Sequence, residues 1–68
     1  MNWDRRGRYY WQSDSGYRIT KARIRDVFKF TTFYPVANSR RMRLGETFTA
    51  LAAAAQWCDN NERVSHAA

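Results

Sequence analysis

Short runs rich in aromatic and β-branched residues, parted by turn signals, fill the chain up to Gly45, and apolar residues take a helical spacing only after it. Tyr17 to Arg25 reads as a strand, with Thr20, Ala22 and Ile24 on one face and Tyr17, Ile19, Lys21, Arg23 and Arg25 on the other, outward face. Asp26 falls in a tight turn. Val27 to Tyr34 is dense in aromatic and β-branched residues, the composition of a strand. Phe28 and Phe30 share a face with Thr32, and Lys29 and Thr31 share the other with Phe33. Pro35 ends this strand because it has no N–H to donate. Val36 to Arg40 reads as a polar loop. Arg41 to Leu44 is a third short strand, Met42 and Leu44 facing in and Arg41 and Arg43 facing out, and Gly45 breaks it. Upstream, Arg8 to Gln12 is a short strand entering the turn signal Ser13-Asp14-Ser15-Gly16, where Gly16 is free to take a positive φ.

The helix follows. Thr49 is the expected N-cap, and Phe48 is placed to staple onto Ala53. Ala50 to Asp59 has the highest helix propensity in the chain. Leu51, Ala54, Ala55 and Cys58 form one stripe, flanked by Trp57, and the small alanines allow close approach to a sheet. Asn60 and Asn61 are expected to end the helix. The predicted fold is α+β: a small antiparallel meander of three to four strands with one C-terminal helix packed on one face. The expected core is Phe28, Phe30, Leu44, Leu51, Ala55 and Cys58.

Length bounds this picture. Sixty-eight residues suffice for one domain, 1–68, with 1–7 and 62–68 read as flexible ends. A domain of this size buries only about 60% of its unfolded surface, so its core is thin. No apolar run is long enough to span a membrane, and the arginines at 5, 6 and 8 are not followed by the apolar stretch of a signal peptide. Cys58 is the only cysteine, so no internal disulfide is possible and a reducing, cytoplasmic setting in a bacterial host is expected. The sequence leaves the oligomeric state open.

Charge changes the picture most. The net charge is +6, and Lys21 and Lys29 are the only lysines among twelve basic residues. Arginine carries a planar fork of donors that matches phosphate and stacks on bases. Expected partners are therefore nucleic acid or an acidic or nucleoprotein host complex, and no membrane. Catalysis finds no support. His66 is the only histidine, no second group stands at a spacing to orient it, and Asp14, Asp26, Asp59 and Glu62 sit in turns or at helix ends. No metal site or cofactor is expected. The binding residues singled out are Tyr17, Arg18, Lys21, Arg23, Arg25, Arg41 and Arg43, cations to meet phosphates and Tyr17 to stack on a base.

From Gly16 to Asp59 the order of elements resembles the three-stranded-sheet-plus-helix DNA-binding domain of ethylene-response factors, with its relatives in phage homing endonucleases and phage integrase arm-binding domains. The matching residues are Gly16-Tyr17-Arg18, Leu44-Gly45, Thr49 and Ala52 to Ala55. The resemblance implies a sheet that enters the DNA major groove, and Arg18 is the position that matches a family contact. Ile19 stands where the family usually has Gly, and Phe48 stands one residue before Thr49 rather than two. In size and make-up the chain also resembles small phage and prophage accessory proteins, anti-CRISPR proteins among them. The function expected is a non-catalytic phage or mobile-element accessory protein that binds nucleic acid through a basic, aromatic sheet face. The alternative is an anti-CRISPR-type inhibitor of a host CRISPR-Cas effector complex.

Overall fold

Each strand pairs antiparallel with the one before it. A computed structural model describes residues 2–36 and 41–67, the side chains of 65–67 excepted. Strands β1 (Trp3–Arg5), β2 (Tyr10–Ser13), β3 (Arg18–Ile24), β4 (Val27–Pro35) and β5 (Met42–Phe48) form one sheet in chain order, and helix α1 (Leu51–Ala67) packs on one side of it. The α+β meander is as predicted, with a fifth strand from the N-terminal segment: Trp3 pairs with Ser13 and Arg5 with Trp11. Gly16 takes the positive φ of the β2–β3 turn, at 94°. The loop expected at 36–40 lies outside the described residues beyond Val36, as do the side chains of Ser65 and His66.

Two expectations at the ends of elements are corrected. The first intrahelical bond runs from the Ala54 N–H to the Ala50 carbonyl, which puts Ala50, not Thr49, at the cap position. The helix also continues past Asn60 and Asn61 to Ala67. Asn61 is retained in the helix because its side chain is engaged: its amide donates to the Tyr17 hydroxyl at 3.0 Å.

Tyr17, Ile19, Phe30, Ala54 and Cys58 are buried, with Trp3, Trp11, Tyr34, Phe48, Leu51, Ala55 and Trp57 packed around them. The helix stripe is thus as predicted, but the face of β3 is reversed. Ile19 pairs with Trp11 on one side and Thr32 on the other, and all three lie on the helix side. Fully burying Ile19 contributes about 1.5–3 kcal/mol. Its period-two neighbours Lys21 and Arg23 share its side without being buried, because they lie beyond the start of the helix. Phe28 is left 43% exposed for the same reason. Leu44, expected inside, is 66% exposed, because its register with Phe33 puts it on the side without a helix.

Gly45 does not break β5; it lies within it. A Cβ there would collide with the Thr32 hydroxyl and come within 2.6 Å of the Trp57 ring. Glycine is what lets that indole lie against the sheet. Next to it the β4–β5 ladder shifts register between Thr31 and Phe33. Thr32 fills the irregularity: its hydroxyl donates to the Glu46 carbonyl and accepts from the Glu46 N–H, both at 2.8 Å.

Candidate nucleic-acid interface

Strand length decides what projects. β2 pairs with β3 only from Arg18 to Thr20, with one further bond from the Lys21 N–H to the Tyr9 carbonyl at 2.7 Å. β5 pairs with β4 only from Phe30 onward. The three pairs Ala22–Lys29, Arg23–Phe28 and Ile24–Val27 therefore have no third strand on either side. They form a two-stranded arm about 10 Å long, with Ala22 to Phe28 exposed without a break. A two-residue turn, Arg25-Asp26, closes it, and Arg25 adopts a φ of 57°.

Residues 21–29 carry four cations, Lys21, Arg23, Arg25 and Lys29, against one acid, Asp26. That is +3 of the chain's +6 in one hairpin. Asp26 accepts from Arg23 at 3.3 Å, an exposed pair that is readily exchanged for a stronger anion. The Lys21 ammonium lies 4.2 Å from the Phe28 ring centroid, and with Tyr9 and Arg23 these residues line a shallow depression on the helix side. Ile24 and Val27 are exposed on the opposite side of the arm.

Arg5 and Arg6 have internal partners instead. Arg6 pairs with Asp4 at 3.2 Å, and Arg5 stands 6.0 Å from the Trp11 ring centroid while donating to the carbonyls of Gly7 and Arg8.

The residues singled out from the sequence do not form one surface. Tyr17 is 5% exposed beneath α1 and bonded to Asn61, so its ring is not available to a base. Burial, the largest influence on it, raises its phenol above the ordinary value of 10.0. Arg23 and Arg25 belong to the arm, and Lys21 stands at its root. Arg18, one residue out of phase, lies on the side away from the helix. Arg43 lies on the helix side at the far end of the sheet, in a cleft with Tyr17, Tyr34, Trp57 and Asn61. Arg41 is exposed just ahead of β5. No family model, curated protein or solved structure matches this chain. What the interface is therefore rests on its own geometry.

Among the described residues no three His, Cys, Asp or Glu side chains converge to hold a metal, and no helix is long and apolar enough to cross a membrane. The residues missed from the sequence are Lys29, Tyr9 and Tyr10, together with Phe33 on the side away from the helix. One signal was present. β3 and β4 span seven and nine residues between outer strands of four and seven, so their shared hairpin can run beyond both.

Proposed function

We propose that this chain binds nucleic acid, with the β3–β4 arm as the element that meets the phosphates, in the manner of a small non-catalytic accessory protein of a phage or mobile element. The observation that carries this reading is the concentration of four cations in a hairpin that projects from the body of the fold. A two-stranded ribbon is narrow enough to enter the major groove of B-form DNA. Its cations release counterions from the phosphates they neutralise, the main source of affinity that does not depend on sequence. The exposed apolar residues Ile24, Val27 and Phe28 at the tip favour a second reading, an acidic face on a host effector protein.

Salt separates the two. On duplex DNA the wild-type affinity should fall with a log–log slope of about 0.9 per phosphate contacted. Replacing Arg23, Arg25 and Lys29 by Ala together should flatten that slope by about three and leave the melting temperature nearly unchanged, because none of the three is in the core. Absence of any mobility shift with DNA or RNA at about 50 mM salt would refute the nucleic-acid reading and favour the protein partner.

A further inference from the structure

Helix α1 covers one side of the sheet and leaves the other bare. On the bare side the register brings Gln12, Arg18, Phe33 and Leu44 into one row and Tyr10, Thr20, Thr31 and Thr47 into the next. Arg18 is held there from two directions. Its guanidinium lies 5.3 Å from the Tyr10 ring centroid, and its Nη2 donates to the Gln12 side-chain oxygen at 3.5 Å. Tyr10 is itself backed by Gly7, where a Cβ would come within 2.6 Å of the ring. Tyr10 thus acts as a clamp on Arg18, not as a free platform.

The Nε of Arg18 is buried and has no hydrogen-bond partner in the protein. A buried donor without an acceptor is costly and calls for an explanation. Beside it Arg18, Thr20, Phe33 and Met42 border a shallow groove of about 360 Å³, at the small end of the range that takes a small molecule. Phe33 offers a ring face and no polar atom. A ring face binds another ring by stacking, and a nucleobase presents its face only when it is unpaired and unstacked.

Resting on the nucleic-acid reading above, we infer that this groove seats an unpaired nucleobase, stacked on Phe33 and met at its polar edge by Arg18. Thr20 and Met42 close its sides. Lys29 lies on the same side of β4, four residues from Phe33 and so about 13 Å along the strand. A single strand laid along β4 with one base in the groove has its phosphates directed to Lys29, at the root of the arm, and onward to its tip. The ligand is the single-stranded form, and base chemistry is shared by DNA and RNA.

The test uses the full chain and fluorescently labelled, unstructured oligonucleotides, one DNA and one RNA, each also supplied as a duplex. Fluorescence anisotropy should show tighter binding of single strands than of duplexes. Phe33→Leu keeps the apolar bulk and removes the ring. It should weaken single-strand binding about tenfold with duplex binding unchanged. Equal loss on DNA and RNA means the base alone is recognised, and loss on one identifies which strand occupies the groove. The Met42 methyl resonance should move on titration with the single strand, a readout that needs no variant. Wild type binding duplex as tightly as single strand, with Phe33→Leu neutral and the Met42 resonance still, overturns the base site and leaves the phosphate-binding arm standing. Wild type binding no oligonucleotide of any form overturns both.

Discussion

Asn61 donates its side-chain amide to the hydroxyl of Tyr17 across 3.0 Å, joining α1 to the residue just ahead of β3. A ring read from the sequence as a base-stacking surface is therefore a fastening inside the core. Tyr17→Phe should cost about 1 kcal/mol, the usual worth of such a bond with one partner left behind. In a domain of this size that lowers the melting temperature by about 4–8 °C. Nucleic-acid affinity measured well below the melting temperature should stay at the wild-type value. A selective loss of single-strand binding by a stably folded Tyr17→Phe protein would place the Tyr17 hydroxyl in the interface.

The buried thiol makes a second prediction. Burial pushes Cys58 up from 9.0 to about 11. The unfolded chain gives up this proton from about pH 9, and the folded chain keeps it to about pH 11. Over that window the unfolded state binds fewer protons, so stability falls as pH rises, and below it the contribution is complete. The loss should be on the order of 2 kcal/mol, seen as a falling urea midpoint. Tyr17, also raised, adds its own decline above its ordinary 10.0. Cys58→Ala should remove the part that begins near pH 9 and keep the later part. An unchanged alkaline profile in that variant would mean the thiol is not the titrating group.

Thr32 has the shape of valine and two hydrogen bonds that valine lacks. Thr32→Val strands both the N–H and the carbonyl of Glu46 beside a residue with no exposed surface. Each stranded group costs about 1–3 kcal/mol. The variant should therefore lose at least about 2 kcal/mol by chemical denaturation. A neutral result would show that the β4–β5 ladder closes the irregularity by other means.

Arg25 occupies the arm's turn with a φ of 57°, a conformation open to glycine at no steric cost. Arg25→Gly removes that strain and one cation together. Stability should rise by up to about 1 kcal/mol, while the salt slope of duplex binding falls by about one. The two effects have opposite signs, so a melting curve and a salt titration on one variant separate them. Unchanged salt dependence would exclude Arg25 from the phosphate contacts.

The order of strands and helix was legible because local rules govern it. Gly16 and Asp26 punctuate the chain, the aromatic and β-branched density of Val27–Tyr34 reads as a strand, and the Leu51–Ala54–Ala55–Cys58 stripe has helical spacing. Which side of β3 meets the helix was not legible, because period two fixes which residues share a side and not which side is covered. With three cations against Ile19 and Tyr17, charge majority pointed the wrong way. The outcome depends on where α1 starts relative to β3, and that is a tertiary fact. The same blindness put Leu44 in the core, and Phe28, on the covered side, is exposed because it lies on the arm beyond the helix. Part of the candidate site was visible all the same: Lys21, Arg23 and Arg25 do lie on one hairpin, at the root, along the strand and in the turn of the arm.

The arm also bears on how such a protein can change over generations. Ala22 to Phe28 contribute nothing to the buried cluster, and no third strand reads their side chains. Substitutions there are nearly free of consequence for folding, whereas those at Ile19, Thr32 or Gly45 are not. The fold thus separates a segment open to variation from a scaffold that is not. A lineage facing a new partner can explore new tips, charges and turn residues while keeping the same body.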